Sequence, residues 1–263
     1  AFARYDKKIT PEFTFVKDAT DKTVRQIKDK VGFPCIIKPV GLSHSQLITV
    51  AYYEGELKST LTKTFKKLKS SLKKSKVEHE PRLLVEHFME GQMYSIDGYV
   101  NDRGKVIFTP VVDIKTGKEA GYDDLFVYLE MMPSVLSSEE VKDAQDIVQK
   151  GIHALGLRST SVHFELIRTM KGWKIIELGA RVGGWRNEMY RLAFNFDHKM
   201  NDYLIHLGKN PIVKSKPKAA VAKIKFYPQK AGTLISIGGL QTVKDMTSVT
   251  SVYQEKKIGD FCD

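Results

Sequence analysis

The stretch SVHFELIRTMKGWKIIELGARVGG, Ser161–Gly184, carries the residues on which the reading of this sequence turns. Ser161 to Thr169 and Trp173 to Leu178 alternate as half-buried strands do, and Met170-Lys171-Gly172 between them puts glycine at the left-handed position of a three-residue hairpin loop. That loop pairs residue 169 with 173 and, counted outward, sets Glu165 directly across from Glu177, with Cβ atoms roughly 5 Å apart. Val162, Phe164 and Leu166 then point to the opposite face, while Ser161 and His163 share the face of Glu165. Two like charges in such a position weaken a sheet. They read either as solvated glutamates balanced by Lys and Arg neighbours or as a cation site, and a one-residue slip would send them to opposite faces. A pair of carboxylates suits Mg²⁺, which completes its shell with water and substrate phosphates. Four positions beyond Glu177 stands Arg181, able to clamp a phosphate or carboxylate, and Gly183-Gly184 lets backbone N–H groups come close to an anion. The order His163-x-Glu165 would fit a zinc deaminase only with a Cys-x-x-Cys downstream, which is lacking, so His163 reads as a pocket residue.

Around this segment lie 263 residues, 29.8 kDa, enough for one large α/β domain or two lobes sharing a cleft. With 42% hydrophobic residues, 13 Phe and 11 Tyr the composition is globular, and no apolar run approaches the roughly 18 residues of a membrane span. Cys35 and Cys262 are the only cysteines and no signal-peptide pattern opens the sequence, so a reduced, cytoplasmic setting is expected. The net charge of +11 points to an anionic partner. Much of it is local: eight lysines and no acid lie between Lys58 and Lys76, where Leu57, Leu61, Phe65, Leu68 and Leu72 keep a helical spacing. That is a helix with a solvated lysine face. Without interleaved aromatics it offers no stacking platform for nucleic acid.

The other elements follow from local signals. Lys22 to Lys30 reads as helix and Pro34 to Val40 as a short buried strand, with another at Leu83 to Phe88. Tyr94 to Val100 and Lys105 to Val112 flank the turn residues Asn101-Asp102-Arg103-Gly104. Asp113 to Asp124 reads as a mobile polar loop. Ser137-Ser138-Glu139-Glu140 is a capping box that opens a helix closed by Gly156.

Four stretches in order resemble the ATP-grasp superfamily, specifically its carboxylate–amine ligases: Gly32-Phe33-Pro34-Cys35-Ile36-Ile37-Lys38-Pro39, Leu84-Val85-Glu86-His87-Phe88-Met89-Glu90-Gly91, His163-Phe164-Glu165, and Glu177-Leu178-Gly179-Ala180-Arg181-Val182-Gly183-Gly184. The resemblance implies an α+β ATP-grasp fold, two α+β lobes clasping ATP with an antiparallel sheet in the larger, divided here as 1–84 and 85–263. It implies ATP with Mg²⁺ or Mn²⁺ as cofactors, and small carboxylate and amine substrates such as amino acids. Glu165 and Glu177 match the metal ligands, and Arg181 the arginine that steadies the reacting phosphate or the substrate carboxylate. Lys38 matches the lysine that binds the ATP phosphates, its bland alternative being a lysine snorkelling at a strand end. Glu86, His87, Phe88 and Met89 match the adenine hinge. Ser45 falls in the phosphate loop, Gly183 and Gly184 near the phosphates, and Ile176 is a floor for the base or a core residue. Lys115 competes with Lys118 for a second phosphate-binding place, against a plain solvated loop for either.

Departures from the family pattern bear on turnover. Gly179 stands where an Asn ligand is common, His44 and Leu47 replace glycines of the phosphate loop, and Met93 occupies the place of a ribose-binding acid, leaving Glu90 or Asp97 as substitutes. Such ligases also carry an N-terminal α/β domain of roughly a hundred residues, expected to be missing ahead of Ala1 to Lys8, which reads as the tail of a helix. The rival functions are a nucleotide-binding regulatory domain that has lost turnover and a basic RNA-binding protein using the lysine helix.

Overall fold

The computed structural model describes residues 1–263 apart from 43–46, 75–79, 123–124, 229 and 263. A short helix, α1 (Phe2–Tyr5), leads into β1 (Phe13–Val16), α2 (Asp21–Lys30), β2 (Cys35–Pro39), β3 (Thr49–Ala51), α3 (Glu54–Lys74) and β4 (Leu83–His87). The four strands form one antiparallel sheet in the order β1-β4-β2-β3. Thr20 caps α2 by accepting from the Thr23 N–H, and Val24 and Ile27 turn the helix onto the sheet. Along α3 the five expected residues, Leu57, Leu61, Phe65, Leu68 and Leu72, are all buried against Cys35, Ile37, Leu83 and Val85. Its lysines at 58, 63, 66, 67, 69 and 73 stay in solvent. Apolar burial mainly fixes the helix in place, and exposed ion pairs Lys28–Glu54 and Lys58–Asp21 tie it to α2.

The second sheet is built from β5 (Gln92–Val100), β6 (Val106–Phe108), β7 (Val112–Thr116), β8 (Val127–Met132), β9 (Thr160–Thr169), β10 (Gly172–Gly179) and β11 (Val221–Ile224). Its order is β10-β9-β5-β7-β8-β11, with β6 pairing β5, and every pairing is antiparallel. Between β8 and β9 runs α4 (Ser138–Leu155), opened by the expected capping box of Ser137 and Glu140 and closed by Gly156 in the left-handed conformation. Ala144, Val148 and Ile152 of α4 pack on Val162, Phe164, Leu166, Trp173 and Ile175, the main core of this layer. Two further helices, α5 (Arg186–Phe194) and α6 (His198–His206), follow β10. Met189, Tyr190, Ala193 and Phe194 of α5 cluster with Val112 and Met132 on the other side of the sheet. Beyond β11 come a strand pair, β12 (Gly232–Thr233) and β13 (Phe261–Cys262), and a short helix, α7 (Leu240–Asp245). No described helix is long and apolar enough to cross a membrane.

Several local expectations are corrected. The strand expected over 105–112 ends at Phe108, and the supposed loop begins instead as strand β7, because Val112 and Ile114 bury into the sheet. A division between 84 and 85 falls inside β4, whose whole length to His87 pairs with β2. The first nine residues side with the larger sheet, since Ile9 joins the α4 core and Phe2 packs against it.

Gly151 shows how close the α4 contact is: a Cβ there would lie 2.7 Å from Phe164 Cε1 and 3.0 Å from Ile175 Cδ1. Gly151→Val is expected to destabilise the protein by about 1–3 kcal/mol through overpacking, read as a lower midpoint in urea unfolding. An unchanged midpoint would contradict this packing.

Candidate active site

The hairpin of β9 and β10 departs from its expected register and then regains it. Thr169 pairs with Gly172, so the turn is the two residues Met170-Lys171, not three, and Gly172 at φ 92° is already part of the ladder. From there Ile175 meets Leu166, one residue out of the register that would oppose the glutamates. A β-bulge between Ile175 and Glu177 absorbs the difference, after which Glu177 pairs with Glu165 and Gly179 with His163. Without the bulge Glu177 would oppose Phe164, which is fully buried under α4. Ile176 is the half-buried residue left over beside Glu177.

The face so formed is polar. Ser95, Asp97 and Tyr99 of β5 lie opposite Glu165, His163 and Ser161 of β9. Glu177 is exposed, and the Glu165 side chain is 27% exposed. Among the described residues no three His, Cys, Asp or Glu side chains form a closed cage. Two facing, partly open carboxylates nevertheless fit Mg²⁺, which is usually held by one or two carboxylates plus substrate phosphates.

Below this opening the charges are buried and paired. Asp97, fully buried, accepts from His163 Nδ1 at 2.5 Å and from the Gly183 N–H at 3.2 Å, and His198 Nε2 lies 2.8 Å from its second oxygen. Burial alone would raise the Asp97 pKa, but the His163 charge overrides it and holds the carboxyl well below its usual range. The same pairing lifts His163 to about 9, against the lowering that burial would cause. Glu165 is also held low: burial opposes its ionisation, and the nearby His163, with Nε2 3.7 Å from Oε1, outweighs that effect. Asp97 is thus walled off from any ribose, which removes it as a substitute for the missing acid; Glu90 remains exposed after β4.

Arg186, at the first turn of α5, is 2% exposed and bridges two strands, reaching Glu130 Oε1 of β8 and Ser95 Oγ of β5, each at 2.7 Å. Lys223 of β11 meets the same Glu130 carboxylate. Burial would raise the Glu130 pKa, but Arg186 and Lys223 hold it down. The sequence reading missed Arg186, Glu130, His198 and Lys223. Only the position of Arg186 just past Gly183-Gly184 hinted at a role, since its partners lie 56 and 91 residues away.

On the smaller sheet Lys38 and Glu86 form an ion pair on the face away from α3, with side chains 20% and 13% exposed. At the hinge the His87 N–H donates to Glu12 O and the Phe88 N–H to Pro34 O, each at 2.9 Å, so these two donors are used by the sheet and its flanks. Met89 follows, half-buried. The two candidate lysines separate: Lys115 is exposed on the face of β7 opposite to that of Glu165, whereas Lys118 Nζ lies 5.7 Å from the ring centroids of both Phe88 and Tyr52. It is therefore Lys118 that reaches Phe88 of the expected hinge. Arg181 is exposed with Nη1 on Val182 O and Gly184 is open, but Gly183 is buried with its N–H on Asp97, which removes it as the phosphate-binding glycine expected from the sequence. Ser45 and His44 lie outside the described residues; Leu47 adopts a left-handed backbone at φ 59°.

Residues 31–188, more than half of the chain, match the ATP-grasp domain family. The chain belongs to that family and has its fold. It superposes on an L-amino acid ligase from Bacillus licheniformis with a TM-score of 0.79 at 19% identity, over 98% of this chain and 61% of that one. It is 29% identical over 147 residues to a D-alanine–D-alanine ligase from Christiangramia forsetii, covering 54% of this chain and 40% of the ligase. An uncharacterized protein, y4rH, from Sinorhizobium fredii is 24% identical over 253 residues, 93% of this chain and 50% of its own. The chain therefore spans about half the length of the curated relatives it matches.

The buried arginine bridge yields a stability test. Arg186→Met strands Glu130 with one cation in place of two and is expected to cost about 3–5 kcal/mol. Adding Glu130→Gln should recover part of that loss in urea unfolding, and strict additivity of the two substitutions would rule the bridge out.

Proposed function

We propose that this chain is the nucleotide- and metal-binding part of a ligase that spends ATP to join a carboxylate to an amine. The observation that carries the reading is the Glu165–Glu177 pair, opened to one face by the bulge at Ile176 and followed at once by Arg181 and Gly183-Gly184. Mg²⁺ bound there would neutralise charge on the triphosphate. In this reading the parts built on the two sheets close on ATP. The hinge at Glu86 to Met89 holds the base above Ile176, and Lys38 leaves Glu86 to meet the phosphates, with Lys118 entering from the loop after β7. Arg181 and the exposed Gly184 backbone stabilise negative charge on the transferred phosphoryl group and on the tetrahedral adduct that follows, the Gly183 N–H being held by Asp97. A carboxylate oxygen attacks the γ-phosphorus and ADP leaves. The amine then attacks the acyl carbon, phosphate leaves with the bonding pair, and the ammonium proton passes to solvent. No protein nucleophile is needed.

Phosphate release from ATP across pairs of amino acids, with Mg²⁺ present, tests the reaction. Release that requires both a carboxylate and an amine supports ligation. Nucleotide binding with no release under any pair favours the regulatory reading, for which Gly179 in place of a third oxygen ligand is the specific feature.

Two substitutions test the geometry. Glu177→Gln is expected to weaken Mg²⁺-dependent ATP binding roughly tenfold or more while leaving adenosine binding in place, because one hard oxygen charge is lost and the hinge is untouched; calorimetry on both ligands checks it, and equal losses would count against the metal site. Lys38→Ala should lower ATP affinity, whereas Lys66→Ala with Lys67→Ala should not, since solution screens the outer face of α3 over about 8 Å. The reverse result in the same titration would refute the assignment of Lys38.

A further inference from the structure

We infer that His163, clamped by Asp97, is a positioning residue that holds Glu165 in its metal-binding orientation and ties it to the Arg181–Gly184 loop. The inference rests on the metal-binding reading of Glu165 and Glu177 and adds the support beneath them. In the β5–β9 ladder Asp97 stands directly opposite His163, so the imidazole meets the carboxylate at its Nδ1 edge, 2.5 Å away. Its other edge faces outward, with Nε2 3.7 Å from Glu165 Oε1. At that separation the ring limits where the carboxylate can turn without occupying its oxygens as a short hydrogen bond would. A ligand side chain is thus braced from below.

The same Asp97 reaches the loop. Its Oδ2 accepts from the Gly183 N–H at 3.2 Å. A Cβ on residue 183 would fall 2.6 Å from Arg186 Cγ, 2.7 Å from Asp97 Oδ2 and 2.8 Å from His163 Nδ1. Glycine at 183 therefore serves close packing of the loop on the Asp97–His163 pair. His198 of α6 closes the remaining side of Asp97. One buried carboxylate thereby fixes two elements relative to each other, the strand that carries Glu165 and the loop that carries Arg181. A pair that served folding alone would not need its free edge turned toward an opened carboxylate.

Asn and Gln at 163 separate the two edges of the ring. His163→Asn keeps an amide at the Nδ1 position, beside Asp97, and removes the group facing Glu165; His163→Gln extends an amide to the Nε2 position. The experiment measures binding of ATP with Mn²⁺, binding of adenosine without metal, and the thermal midpoint of the metal-free protein. His163→Asn is expected to lose roughly tenfold in Mn²⁺-dependent ATP affinity, in the range seen when a group supporting a metal ligand is removed, with adenosine affinity kept. His163→Gln is expected to recover part of that loss, since it restores the group facing Glu165 but not the edge clamped by Asp97. Asp97→Asn should reproduce the loss, and combined with His163→Asn should add little to it, because Asp97 reaches Glu165 only through the His163 ring. Unchanged Mn²⁺-dependent binding in His163→Asn while the wild type shows it would overturn the inference and leave the metal site standing. Equal loss of both ligands, together with a lowered midpoint in all three variants, would overturn it in favour of a purely structural pair. No Mn²⁺ effect in the wild type would overturn the metal reading and this inference together.

Discussion

The site depends on one unpaired residue. The turn at Met170-Lys171 starts the β9–β10 ladder in a register that carries Trp173 and Ile175 correctly onto α4 but would carry Glu177 there as well. An ionised carboxylate in that core would lose its hydration with nothing to replace it. The bulge at Ile176 reconciles the two demands, because an extra residue reverses the alternation from that point on. Leu178 then packs toward the core, and Glu177 emerges beside Glu165. Two like charges face each other at a cost that a bound cation would offset.

Beneath the open carboxylates the protein keeps its charges in pairs that cross elements. Asp97 joins β5, β9, α6 and the glycine loop, and Arg186 joins α5 to β5 and β8. Each of these groups is more than nine-tenths buried, and each would be costly to strand. Such networks gain little net stability over apolar packing, so their arrangement is better understood as fixing geometry. They hold the start of α5 and the loop before it against the strands that carry the exposed carboxylates.

On the smaller sheet the division of charge is different. The lysines of α3 account for much of the positive balance, yet they stand on its outer face while leucines hold the helix down. Lys38, on the opposite face of the sheet, is neutralised by Glu86. Net charge alone therefore points to the outer face of α3, away from Lys38 and Glu86.

Periodicity and caps in the amino-acid sequence determined most of the secondary structure: the five apolar positions of α3, the Ser137–Glu140 capping box, the Gly156 terminus, and the β9–β10 hairpin. These are legible because they depend on neighbours three or four residues away, or on a short turn. What stayed hidden required contacts between distant segments. Asp97 reads as an available acid in a strand and becomes unavailable only when His163 and His198 close over it. Lys115 and Lys118 look equivalent until the register of β7 sends one to the far face and the following turn brings the other to Phe88. The bulge itself was invisible, since the local pattern is satisfied by a longer turn with no bulge. Only the core under α4, which must receive Ile175 and exclude Glu177, selects between them.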